Sequence, residues 1–163
     1  CTSLTTAPEL PATTLAKSCY YCMFDNCTSL TAAPELPAME LANLCYREMF
    51  SNCTSLVTAP ELPATTLAEG CYIYMFSGCT SLTAAPELPA TTLVNSCYKN
   101  MFNGCTNLNY IKCLATKVIS GSTDSWVNGV PSTGTFIKHP SMRIWTTGTS
   151  GIPNGWRVEN AAL

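Results

Sequence analysis

Charge is scarce in this chain. Asp, Glu, Lys and Arg make up 11% of its 163 residues, and the formal net charge is −2. Such a balance leaves no basic footprint for a phosphate backbone, which excludes nucleic acid as a partner. No apolar run approaches the roughly 20 residues that a membrane helix needs, so no membrane insertion by this segment is expected. There is one histidine, His139, set between Lys138 and Pro140. No serine or cysteine pairs with it by spacing, and the acids follow no glycosidase arrangement, so hydrolase chemistry has nothing specific behind it. No signal peptide is present. The chain opens inside a repeat and reads as a fragment or processed form, so the missing leader says nothing about compartment. The expectation is a protein without cofactor or metal and without catalytic activity.

What is abundant is cysteine, with eleven residues, and it is periodic. Cys1, Cys27, Cys53, Cys79 and Cys105 stand 26 residues apart, each opening Cys-Thr-Ser-Leu or a near copy. A fixed period in the twenties marks a solenoid, whose single coil cannot bury its apolar side alone. Cys19, Cys45, Cys71 and Cys97 repeat at a second position. Residues repeated in every coil stack on their own copies, and free cysteine is a small, readily buried residue. These nine are therefore read as mostly buried free thiols, with Cys22 and Cys113 off phase.

The repeat divides into three parts. Leu4-Thr5-Thr6-Ala7 and its copies read as a short parallel strand stopped by Pro8, which has no donor for a ladder. Pro8-Glu9-Leu10-Pro11 is then extended and polyproline-like. In Cys19-Tyr20-x-x-Met23-Phe24, Cys19 and Met23 are four apart, as are Tyr20 and Phe24. That spacing predicts about two helical turns, from residue 17 or 18 to 24, with the varied positions facing water. Asn26, Asn52, Gly78 and Gly104 precede the repeated cysteines and suit a left-handed backbone at a helix end. Asn26-Cys27-Thr28 and Asn52-Cys53-Thr54 also match the glycosylation sequon, but glycine replaces asparagine in the next two coils, which favours the turn.

Met23-Phe24-Asp25-Asn26-Cys27-Thr28-Ser29-Leu30, with copies at Met49-Phe50, Met75-Phe76 and Met101-Phe102, followed by an extended Leu-Pro, resembles the BspA-like class of bacterial leucine-rich repeats. The resemblance covers residues 1 to about 114. The chain departs from that pattern in its extra Pro-Glu and in cysteine for the usual aliphatic residue at position 19. The resemblance implies an α/β solenoid, a right-handed leucine-rich-repeat superhelix with short parallel strands and short helices. It also implies a cell-surface or secreted protein, as in gut and oral Bacteroidetes and some protists, active in adhesion to host proteins or other cells.

The expected organisation is a repeat region over 1–114 (coils 1–26, 27–52, 53–78, 79–104 and a partial 105–114). A last coil and β-rich C-terminal cap follow over 115–163. There, Tyr110–Leu114, Thr135–Lys138, Met142–Trp145 and Trp156–Val158 read as strands, and Ser122-Thr123-Asp124 as the start of a short helix through Val127. Acids and bases are unevenly shared: residues 1–104 carry eight acids and three bases (−5), residues 105–163 two acids and five bases (+3).

Candidate partner-binding residues fall in three groups. Glu9, Glu35, Glu61 and Glu87 share one phase and form a row of roughly 14 Å at the usual spacing of stacked strands, suited to a cation or a basic or periodic ligand. Carboxylates simply facing water are the plainer reading. Tyr21, Arg47, Tyr74 and Lys99 supply the chemical variety a protein partner would read, so a protein is expected at this row or at the tryptophan-bearing tail, and the regular Thr/Glu face is left to a glycan or polymer with its own repeat. Trp126 and Trp145 could stack on sugars, although core and cap packing is the commoner use of tryptophan. Cys19-Tyr-Tyr-Cys22 is a Cys-x-x-Cys, but its later copies lack the second cysteine and a structural zinc wants four ligands. The functional expectation is a monomeric, non-catalytic module binding a protein or glycan. The rival is a spacer, stalk or phage tail-fibre component.

Overall fold

The computed structural model describes residues 1–162. Leu163, the end of the expected 115–163 segment, lies outside the described residues. The period becomes a stack of coils in which each residue lies over its copy. Tyr20, Tyr46, Tyr72 and Tyr98 form one aromatic column with ring centroids 5.7–6.0 Å apart. Phe24, Phe50, Phe76 and Phe102 form a second, at 5.5–5.8 Å. Each such contact contributes about 0.5–1.5 kcal/mol beyond area burial. Leu30, Leu56, Leu82 and Leu108 fill the core beside them, fully buried, while Leu4 in the first coil is partly open.

The expected α/β leucine-rich-repeat solenoid is overturned. Among the described residues there is no helix, and the named strands are three, of four residues each. The stretch read as helical is a ribbon of tight turns. Cys19, Tyr21, Met23, Asp25 and Cys27 donate their N–H groups three residues back, at 3.0–3.3 Å. The alternate residues, Ser18, Tyr20, Cys22, Phe24 and Asn26, donate theirs instead to the carbonyls of Asn43, Cys45, Arg47, Met49 and Ser51 in the next coil, at 2.8–3.1 Å. Every fourth residue has a left-handed backbone: Ser18, Cys22 and Asn26 at φ 58°, 53° and 56°, with the same positions repeated in later coils. An α-helix would satisfy these groups within itself. The ribbon satisfies half of them between coils and so ties the stack together, which offsets a cost of roughly 1–2 kcal/mol per left-handed non-glycine residue. Both conformations place residues four apart on one side. That is why Cys45, Tyr46, Met49 and Phe50 are buried as the spacing requires, although the helix is absent.

The expected strand after each Cys-Thr-Ser-Leu shrinks to single parallel bridges, such as Thr6 to Ala32 and Ala32 to Thr58. A second bridge column, Thr14–Glu40–Thr66, follows the prolines. Proline at both ends of the Glu-Leu pair denies the ladder its donors. A continuous strand forms once those prolines are gone: β1 (Tyr110–Cys113) pairs in parallel with β2 (Thr135–Lys138), and β2 with β3 (Arg157–Asn160). Bridges at Ala84–Tyr110 and Leu88–Cys113 show five residues of the fourth coil spanning the interval of four in the fifth. The Pro-Glu coils therefore bulge outward where the fifth runs straight.

Two further expectations fail in the tail. Met142–Trp145 forms no strand. Ser122–Val127 continues the turn ribbon, with Gly121, Ser125 and Gly129 at φ 83°, 52° and 79°. Trp126 closes both aromatic columns, stacked on Tyr98 at 6.1 Å and tilted against Phe102 at 6.3 Å. Trp145 stacks on its other face at 5.7 Å, and Phe136 meets both rings edge-on.

Candidate ligand-binding groove

The outward bulge of Ala-Pro-Glu-Leu-Pro in successive coils leaves hollows between them. One of about 420 Å³ lies between Pro8–Pro11 and Pro34–Pro37. The next, about 470 Å³, shares Pro34, Glu35 and Pro37 and reaches Pro60–Pro63. A third, about 380 Å³, shares Pro60, Glu61 and Pro63 and reaches Pro86–Pro89. Because each hollow shares a wall with its neighbour, the three make one groove along the stack. Its walls are proline rings, which are rigid and carry no donor.

Glu9, Glu35, Glu61 and Glu87 line the groove, one per coil, and all four are exposed. Among the described residues, Glu87 alone of the four has an ion pair, with Lys112 Nζ at 2.9 Å. Lys112 takes the place of the next glutamate and closes the acidic row. The arrangement can do two things chemically. It offers apolar, flat surface for rings or aliphatic stems, and it offers carboxylate acceptors at a regular interval. The prolines that wall it were not singled out as site residues from the sequence. The available signal was the unbroken Ala-Pro-Glu-Leu-Pro, kept in all four coils.

The second group does not form a single row. Tyr21, Arg47 and Lys99 share a column with Ile73, while Tyr74 belongs to the adjacent column with Cys22, Glu48 and Asn100. The Arg47 guanidinium lies 5.2 Å from the centre of the exposed Tyr21 ring, and its Nε donates to Glu48 Oε1 at 2.9 Å. The Cys22 thiol points to Glu48 Oε2 at 3.6 Å and is raised above its ordinary pKa by burial first. Tyr74 and Lys99 are half-buried. Most of this chemistry is therefore already engaged within the chain.

The tryptophans are engaged as well. Trp126 is fully buried and donates Nε1–H to the Gly151 carbonyl at 2.7 Å. Trp145 is half-buried, with its Nε1 buried and unpartnered. Trp156 donates to Pro131 O at 2.7 Å.

Seven of the nine in-phase cysteines are buried. Cys1 and Cys19 are exposed, and the off-phase Cys113 is buried. Ser141 Oγ lies 2.7 Å from His139 Nδ1, two residues away on an exposed turn. The Ser141 N–H shares the same ring nitrogen at 3.1 Å, so this is a local turn contact rather than an activated nucleophile. Among the described residues no three His, Cys, Asp or Glu side chains converge as a metal site would require.

The chain matches no family model, no curated protein and no solved structure.

Proposed function

We propose that this chain is a non-catalytic repeat module of a cell-surface or secreted protein, and that it binds an extended protein or glycan ligand along the proline–glutamate groove. The observation that carries this reading is the groove itself: three hollows in line, each walled by proline and lined by glutamates of successive coils. A ligand with its own repeat makes the same contact at every coil, so weak contacts add. Three of the four carboxylates carry no ion pair among the described residues, so cationic or hydroxyl-rich groups on the ligand fit them best. The sequence resemblance to BspA-like repeats supports the surface location and the adhesive role.

The test is a binding assay on immobilised basic peptides and neutral glycans with two paired variants. Glu35→Gln with Glu61→Gln is expected to abolish or strongly weaken binding. Arg47→Ala with Tyr74→Ala is expected to leave it nearly unchanged. The reverse result would move the site to the turn-ribbon side. The second reading is a spacer or tail-fibre component, favoured by the near-identity of the coils and their continuous aromatic columns. Absence of binding by folded protein across such a screen would favour it.

A further inference from the structure

The groove crosses the coils rather than following them. Parallel bridges such as Thr6 to Ala32 and Ala32 to Thr58 set neighbouring coils side by side, and the three hollows run on from coil to coil. A ligand lying in the groove therefore crosses the backbone of each coil, so it cannot add to the coils as a further strand. Proline on both sides of each Glu-Leu pair removes backbone donors as well. Leu36, Leu62 and Leu88 turn into the core beneath the glutamates and are buried. Recognition is left to proline rings and carboxylates. The ligand must bring its own donors, and its backbone must be satisfied without help from the groove.

Spacing chooses among the conformations that remain. Coils joined by parallel bridges lie about 4.8 Å apart, which puts alternate glutamates about 9.6 Å apart. In a polyproline-II chain every third side chain returns to one face after about 9.3 Å, and the backbone is satisfied by water. An α-helix returns after about 5.4 Å, and over the three intervals from Glu9 to Glu87 it drifts about 1.8 Å out of register. An extended strand returns after about 6.7 Å, which matches neither one coil nor two. Charge sets the register. Glu9 and Glu61 are exposed and carry no ion pair among the described residues, whereas Glu87 is held by Lys112 at 2.9 Å.

We infer that the groove holds a peptide in polyproline-II conformation with a lysine or arginine at every third position, a reading that rests on the proposed function. Glu9 and Glu61 hold successive cations. The aliphatic stems of the basic residues lie along the proline rings while their charged ends reach the carboxylates. Lys112 repels a cation beyond Glu87 and so ends the site at that coil.

The experiment measures, by fluorescence anisotropy, the binding of two nonapeptides of one composition to the full chain. One is Lys-Pro-Pro repeated three times, and the other has its three lysines together at one end. The periodic peptide is expected to bind at least about tenfold tighter, because its contacts add along the groove. Glu9→Gln with Glu61→Gln is expected to remove that preference, whereas Glu35→Gln alone is expected to change it less than about twofold, as for an exposed charge without a fixed partner. Equal affinity for the two peptides, or an equal loss on Glu35→Gln, overturns the polyproline-II reading and leaves the groove as the site. So does binding of a neutral glycan alone, if it is lost on Glu35→Gln with Glu61→Gln. Binding that no glutamate substitution alters, or no binding at all by folded protein, overturns the groove as a site and this inference with it.

Discussion

The Cys53 thiol donates to the carbonyl oxygen of Phe24, 3.1 Å away and 29 residues earlier in the chain. Cys79 does the same to Phe50 at 3.1 Å, and Cys105 to Phe76 at 3.0 Å. Each of these carbonyls already accepts an N–H from the residue three further on, Cys27 to Phe24 for example. The thiol therefore uses the second lone pair and ties each cysteine to the turn that carries the preceding cysteine of its column. A small apolar side chain that can still donate fits this place, which explains why cysteine recurs there.

Alkaline pH should unfold the protein steeply. Burial pushes the thiols of Cys45 and Cys97 up to about 11 and those of Cys53, Cys105 and Cys113 up to about 12. Burial also raises the hydroxyls of Tyr46, Tyr72 and Tyr98. In the unfolded chain a thiol titrates near about 8.5. Below that pH both states hold the proton and these thiols add no pH dependence. Above it the unfolded chain loses protons that the folded chain keeps, so stability falls until the folded values are reached. Each thiol contributes a slope of up to about 1.4 kcal/mol per pH unit in that window. Denaturant titrations are expected to give midpoints that are level to about pH 8 and then drop sharply toward pH 11. A flat profile through pH 10 would contradict the buried columns.

Glycine should stabilise the ribbon where it would weaken a helix. Ser96 has φ 55°, and glycine already stands at the equivalent Gly70 and Gly121. Ser96→Gly is expected to raise unfolding free energy by about 0.5–1 kcal/mol by relieving a left-handed conformation. At the start of a helix, where the expected reading puts this residue, the same change would lower it by a few tenths of a kcal/mol. Chemical denaturation separates the two signs.

The tail should protect the stack from self-association. Trp126 covers the last aromatic rings, and β2 covers the edge of β1. Removing residues from Val118 onward exposes both, and an open strand edge beside apolar surface is a template for association. Light scattering is expected to show aggregation of the truncated chain at concentrations where the full chain stays monomeric. Trp126→Ala in the full chain is expected to cost about 3–5 kcal/mol.

The columns were legible in the sequence and the backbone was not. The 26-residue period places Leu30 over Leu56 and Phe50 over Phe76 without any choice of secondary structure. The four-residue spacing of Tyr46 and Phe50 then has two solutions, a helix and a chain of turns, and both bury the same side chains. Positive φ at every fourth residue distinguishes them, but those positions carry Ser18, Leu44, Cys22, Glu48 and Tyr74, which give no turn signal. Gly70, at the start of the expected helix, and Asn100, inside it, were the residues pointing the other way. For the site, the phase of the glutamates was readable. The groove they line was not, because it depends on how far each Pro-Glu bulges from its coil. The tail resisted for another reason: Met142–Trp145 alternates like a strand, yet Trp145 is held by Trp126 rather than by a ladder.

The central claim is that alternate N–H groups of the ribbon bond forward to the next coil, which sets the polarity of the stack. The most direct test is the through-hydrogen-bond scalar coupling between amide nitrogen and carbonyl carbon in isotope-labelled protein. The account predicts a coupling from Tyr46 N to the Cys71 carbonyl, and likewise from Phe50 N to Met75, the pairs at 3.0 and 2.9 Å. Couplings from Tyr46 N to Ala42, and from Phe50 N to Tyr46, would mark an α-helix and contradict it.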